Sequence, residues 1–250
     1  MYIVDQPILM IAAACIGACA GRIIGLIGSR LPAWLFDVWH RDAVAHLALD
    51  PDAVGSVHIN KGFDRWRWTT PIAAAASLAV AGCYGGTYLA ACLIGLSWAL
   101  VLLSLIDAEH QVLPDVIVFP LLWSGMLVSL LGIGVSLHDS VLGAIAGYSA
   151  LWLTYWGFKL ITGREGLGGG DMKLMAVIGA WGGWQILCLT VLLASVTAVV
   201  IAGFHQLRSA SLRGNSEPFS FGPYLALAGF ISICWGDQIT GWYLGIAAGN

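Results

Sequence analysis

Eight apolar runs with almost no charge inside them restrict this chain to one kind of fold. They cover approximately residues 7–28, 71–84, 87–106, 115–134, 141–161, 172–183, 184–206 and 219–236, with a weaker apolar tail at 239–248. Hydrophobic residues make up 59% of the chain and charged residues only 10%, whereas a soluble domain carries about 25% charged residues. A membrane-spanning helix needs about 20 apolar residues. Lipid also obliges each backbone N–H and C=O to find its partner within the segment, which leaves helices for runs of this kind. The expectation is an all-α, polytopic membrane protein with about eight transmembrane helices, and residues 1–250 form a single membrane-embedded domain.

Two of the boundaries rest on glycine pairs. The stretch 71–106 is too long for one span and divides at Gly85-Gly86. The runs 172–183 and 184–206 join with no charge between them, and Gly182-Gly183 offers the tight turn of a helical hairpin.

The basic residues test this division. Of eleven Lys and Arg, Arg30, Arg41, Lys61, Arg65 and Arg67 follow the first run. Lys159, Arg164 and Lys173 lie between the fifth and sixth, and Arg208 and Arg213 between the seventh and eighth. With eight spans all three loops fall on one side, and the opposite loops near 85, 135–140 and 183 carry no Lys or Arg. Basic loops stay in the cytosol, so the N-terminus is expected outside. Merging either glycine-split pair would destroy the agreement. Arg22 is the exception: it lies inside the first run, about 12 Å below Arg30 if helical, where it reads as snorkelling or facing the bundle.

Residues 29–70 are expected to form a cytosolic loop near the membrane, partly amphipathic, with Trp34, Phe36, Trp39, Phe63, Trp66 and Trp68 as interfacial anchors. None of the six cysteines forms a Cys-x-x-Cys pair, which argues against a zinc site or a disulfide framework. Asp5 and no basic residue precede the first run, so no cleavable signal peptide is expected. The net charge of −3 and the lack of a basic run argue against a nucleic-acid partner. The partner implied by composition is the lipid bilayer.

Two carboxylates stand out on the expected cytosolic side. Asp107 ends the third run, in Ser104-Leu-Ile-Asp107-Ala-Glu-His-Gln-Val-Leu-Pro114-Asp115. Asp171 opens the sixth, after four glycines in five positions: Gly166, Gly168, Gly169 and Gly170. Two aspartates at span ends on different helices can meet in a wet cavity. Carboxylates brought close together cannot both ionise easily and hold one proton between them. One can then take a proton from an attacking water while the other polarises a peptide carbonyl and later protonates the leaving amine. Plainer readings stand beside this one. Asp115 reads as a helix N-cap, Asp171 as a first-turn acid favoured by the helix dipole, and Lys173 as an interfacial anchor. Glu109, His110 and Glu165 read as solvated loop residues. A proton-coupled transporter is a further alternative, which the lack of mid-span carboxylates or histidines disfavours. No G-x-S-x-G or H-E-x-x-H supports other hydrolases, and the glycines lack the Gly-Lys-Ser/Thr ending of a phosphate loop.

The segment Arg164-Glu-Gly-Leu-Gly-Gly-Gly-Asp171-Met-Lys173 resembles the G-x-G-D motif of the type IV prepilin peptidases, bacterial aspartic proteases of the membrane. Asp107, six residues before Leu113-Pro114, resembles their other motif. Arg30-Leu31-Pro32, Gly179-Ala-Trp-Gly-Gly-Trp184 and Pro218-Phe-Ser-Phe-Gly-Pro223 look like further stretches of the family, so the resemblance runs along almost the whole chain. It implies a G-x-G-D aspartic protease architecture in the bacterial inner membrane, with Asp107 and Asp171 as the catalytic pair facing the cytosol and the N-terminus in the periplasm. The implied substrate is a prepilin or pseudopilin whose short basic leader is cut beside a glycine that precedes its apolar helix. Gly168, Gly169, Gly170, Lys173, Asp115 and Glu165 are the expected substrate-binding residues: the glycines give room for a substrate strand, and the acids attract the basic leader. Proteolysis needs no cofactor. Long members of the family also methylate the new N-terminus with S-adenosylmethionine, which enters here only if that activity is retained.

The chain departs from the family in two places. The 29–70 loop lacks the two Cys-x-x-Cys pairs of the long members, which removes zinc there. Gly21-Arg22-Ile-Ile-Gly25 also stands where the family has Gly-Ser-Phe-Leu-Asn. A presenilin-like protease that cuts within transmembrane helices shares G-x-G-D and is the second alternative.

Overall fold

The computed structural model describes residues 6–47, 68–163, 168–209 and 220–247. Among these residues the chain forms eight α-helices and no strand: α1 (Gln6–His46), α2 (Thr69–Tyr84), α3 (Tyr88–His110), α4 (Asp115–Leu130), α5 (Leu137–Thr162), α6 (Gly169–Gly182), α7 (Leu187–Ser209) and α8 (Gly222–Ala247). A 3-10 turn, Trp184–Ile186, joins α6 to α7. Each helix overlaps one apolar run, α1 continuing well past its own, and the 239–248 tail continues α8. By length and composition, Gln6–Val44, Tyr88–His110 and Trp184–Ile201 can cross a membrane. At 14 residues, α6 extends about 21 Å, short of a hydrocarbon core about 30 Å thick.

Both glycine breaks are where the charge pattern required them. Gly85 has φ 60° and Gly183 φ 79°, backbone that side-chain-bearing residues avoid. Each donates its N–H back into the helix it ends, to Ala81 and Gly179. Thr87 and Ser136 open α3 and α5 by accepting the N–H of Ala90 and Asp139 at 3.1 Å, and so satisfy donors that a helix start otherwise leaves unmet.

Small residues set the closest helix crossings. On α1, Gly17 and Gly21 lie so close to α2 that a Cβ on either would strike the backbone around Ala73 or Thr70. On α5, Gly143 and Gly147 abut the carbonyls of Gly179 and Met175 on α6. Both pairs are Gly-x-x-x-Gly, a spacing that lets helix backbones touch where lipid supplies no hydrophobic drive. With α5 seated on it this way, α6 is enclosed: every residue from Met172 to Trp181 except Lys173 is buried. The Trp181 indole packs over Gly125 and donates to the Leu121 carbonyl of α4 at 2.9 Å. Outside this core, Ile11, Leu26, Leu131, Leu153, Leu160 and Val199 are exposed, as lipid-facing positions should be.

The expected loop after the first run differs from the structure. Residues 33–46 continue α1 as helix, with Pro32 inside it. Hydrophobicity ends near residue 28, but helix does not have to end there; Asp37 and Arg41 pair one turn apart on its surface. Leu35 and Val44 are buried while Trp34 and Trp39 are exposed, an amphipathic division. Phe36, Trp34, Trp39 and Trp68 are described; Phe63, Trp66 and the rest of 48–67 lie outside the described residues.

Candidate active site

Asp107 sits in the last turn of α3 and Asp171 in the first turn of α6, each 6% exposed. On α3, buried Leu100, Leu103 and Ile106 turn the neighbouring Asp107 inward. On α6, Met172, Leu174 and Met175 do the same for Asp171. The helices end differently around them. Gln111 closes α3 in the left-handed conformation, φ 55°, and its N–H returns to the Asp107 carbonyl at 2.9 Å. Gly168 precedes α6, and its carbonyl accepts the Asp171 N–H at 3.2 Å. The two carboxylates come within electrostatic reach of each other.

Each carboxylate has donors. The Asp171 side chain accepts the backbone N–H of Gly168. The Asp107 side chain accepts the Ser220 hydroxyl on Oδ2 and the backbone N–H of Gly222. A Cβ at Gly222 would collide with Asp107 Oδ2, so only glycine admits the carboxylate there. Buried carboxylates require such donors, because a buried polar oxygen without one costs about 1–3 kcal/mol or more.

The other expected site residues divide. Leu113 packs 2.9 Å from where a Cβ at Gly170 would sit, so this glycine makes room for the Leu113-Pro114 turn. Gly168 and Gly169 are exposed, and no atom lies within 4 Å of a Cβ built at Gly169. Lys173 Nζ donates to Asp115 Oδ1 at 2.6 Å and lies 5.5 Å from the Phe119 ring centroid. The cap position of α4 is Pro114, without a side-chain hydrogen bond, and Asp115 is the first helical residue; this corrects the N-cap reading. Asp115 turns to Lys173 because the lysine, one turn into α6, brings a charge within reach across the α4–α6 contact. Glu165 lies outside the described residues. His110 and Glu109 lie together behind the α3 end, Nε2 to Oε2 at 3.8 Å, with the Phe36 ring edge-on to His110.

Ser220 and Gly222 were not assigned to the site from sequence. The signal available was Pro218-Phe-Ser-Phe-Gly-Pro223, a hydroxyl and a glycine at the start of an apolar run. A cavity of about 350 Å³ opens at the opposite helix ends, lined among others by Leu89, Asp139, Gln185, Ser232 and Asp237. Its lining reaches Leu93, 14 positions or about 21 Å before Asp107 along α3.

Where two carboxylates interact strongly, they hold one proton between them and titrate as a pair. Such a pair can supply an acceptor for a water proton and a donor for a carbonyl oxygen.

Comparison with known proteins places the chain in a family. Residues 93–203, from within α3 to within α7, match the model of the type IV leader peptidase family. The chain belongs to that family. Both aspartates fall inside the matched region. A prepilin leader peptidase/N-methyltransferase of Pseudomonas aeruginosa is 51% identical over 168 residues, 67% of this chain and 57% of the relative. Proteins of the same name from Aeromonas hydrophila and Dichelobacter nodosus are 52% identical over 150 residues and 45% over 143. The matches span about half the length of these type IV leader peptidase relatives. No solved structure matches the chain.

Proposed function

We propose that this chain is an aspartic endopeptidase that removes the short basic leader of a type IV prepilin or pseudopilin at the cytosolic face of the bacterial inner membrane. What supports this reading is that Asp107, at the end of α3, and Asp171, at the start of α6, are both buried and lie within electrostatic reach of each other. The ionised carboxylate of the pair takes a proton from water as the water oxygen attacks the scissile carbonyl. The protonated one hydrogen-bonds the carbonyl oxygen and stabilises the tetrahedral diol. Transfer of a proton to the amide nitrogen then breaks the C–N bond and frees the leader. The eight helices act as spans, α6 short because it is enclosed by protein. The basic loops lie in the cytosol with the dyad, and the N-terminus in the periplasm.

A dyad at the membrane face suits a substrate whose scissile bond lies just outside its own transmembrane helix. The open space over Gly169 supports strand approach there. The relatives' names add N-methylation, which would draw on S-adenosylmethionine.

The test is co-expression with a prepilin and mass spectrometry of the pilin N-terminus. Wild type should yield the pilin cut next to the glycine before its apolar segment. Asp107→Asn and Asp171→Asn should leave the leader in place while still accumulating in the membrane. Full cleavage by either variant refutes the dyad. A cut inside the apolar segment would instead mark a presenilin-like protease, and the same spectrum reports any added methyl group.

A further inference from the structure

The start of α8 is held firmly where it meets Asp107. The Phe221 carbonyl accepts the N–H of Tyr224 and of Leu225, each at 3.1 Å, which closes the first turn. Leu225 is fully buried in the main core, Phe221 packs against the same cluster, and Gly222 is buried between them. Pro223 stiffens this turn, where its missing N–H is not needed. A frame anchored on both sides thus presents the Ser220 hydroxyl and the Gly222 N–H to one carboxylate, 113 residues away for Ser220.

The start of α8 is packed closely against one oxygen of that carboxylate. Ser220 bonds Oδ2, and Oδ2 is also the atom nearest to a Cβ built on Gly222. Oδ1 is the oxygen that Ser220 does not bind. An aspartate has two torsions, and its terminal one is soft, so a catalytic carboxylate needs an external hold to keep one oxygen on target.

We infer that Ser220 is a positioning residue: its hydroxyl holds Oδ2 of Asp107 and fixes the orientation in which Oδ1 meets Asp171 and the substrate. The inference rests on the peptidase reading for its kinetic consequence, but the hold itself can be measured without any cleavage.

Two paired measurements test it. Ser220→Thr and Ser220→Val differ only by a hydroxyl against a methyl, so a packing role would treat them alike. In prepilin cleavage, Ser220→Thr should keep kcat within about twofold of wild type, while Ser220→Val and Ser220→Ala should lower it roughly tenfold, the scale of one hydrogen bond to a charged group. KM should not move. In thermal unfolding, Ser220→Ala should lower Tm in the wild-type chain but not in an Asp107→Ala chain, because the partner is then already gone. Equal kcat for the threonine and valine variants, or an equal Tm loss in both backgrounds, overturns the inference. A wild-type protein that cleaves no prepilin refutes the peptidase reading alone, and the Tm cycle still decides whether Ser220 holds Asp107.

Discussion

Leu113 occupies the space that a side chain on Gly170 would need: a Cβ there would lie 2.9 Å from its Cβ and Cδ1. Leu113 belongs to the turn that follows Asp107 by six residues, and Gly170 immediately precedes Asp171. The two aspartate segments therefore interlock through an apolar contact as well as through charge.

Gly170→Ala should destabilise the protein by about 1–3 kcal/mol, the usual cost of overpacking, and should reduce cleavage further by displacing the first turn of α6. Gly169→Ala, with open space around it, should change stability by less than about 0.5 kcal/mol. Thermal melts in detergent distinguish the two, and Leu113→Ala should recover part of the Gly170→Ala loss.

The catalytic pair should behave as one unit. Asp107→Asn and Asp171→Asn should each lower kcat by at least about 10²-fold. The double variant should be no worse than the poorer single, since groups that act together are not additive. Initial rates on a purified prepilin check this; multiplying losses would mean two separate roles.

Lys173 and Asp115 are 33% and 51% exposed in their side chains. A pair of that kind contributes less than about 1 kcal/mol, so Lys173→Met and Asp115→Asn should barely move Tm. Both should lower kcat by a similar modest factor, and the double variant should equal either one, because the pair ties the Asp171 turn to α4. A rise in KM confined to Asp115→Asn would point to leader binding instead.

Replacing Gly179 or Gly143 with leucine should remove folded protein from the membrane. Each glycine faces the other's carbonyl across α5 and α6 with no room for a side chain, and α6 carries Asp171. Fluorescence-detected size exclusion should show aggregation for both, and Gly157→Leu, with open space around that residue, should run as wild type.

At the periplasmic end of α5 in the proposed topology, the Ser136 hydroxyl holds the Asp139 carboxyl below the usual carboxylate range, with the Trp184 indole and Gln185 adding to it. A depressed folded-state pKa gives stability that is present above the unfolded value and lost as pH falls through the folded one. Ser136→Ala should therefore lower Tm at neutral pH, and the difference from wild type should shrink as the pH falls through the acid range. A constant gap in pH-resolved melts would argue for lost packing alone.

Much of the helix plan could be read from hydropathy and charge. Gly85 and Gly183 end helices where the basic loops demanded a reversal, because a chain in lipid can turn only where the backbone can. Asp107 and Asp171 stood out because carboxylates at span ends are costly. Composition and structure part in three places. Charges after residue 28 suggested a loop, yet helix continues to His46 since polar residues also form helices. Asp115 looked like a cap, and a lysine from another helix engages it. The Gly-x-x-x-Gly pairs of α1 and α5 carried a packing signal that the hydrophobic pattern does not report.

From sequence alone come the all-helical membrane character, the places where the helices break and the two aspartates with their motifs, all consequences of local hydrophobicity, backbone freedom and charge. Tertiary structure alone decides that Ser220 and Gly222 hold Asp107, that Gly170 admits Leu113, and that Lys173 reaches Asp115. Those contacts join residues 57 to 115 positions apart in the chain. No local propensity encodes such pairings; they follow from how enclosed α6 packs among its neighbours.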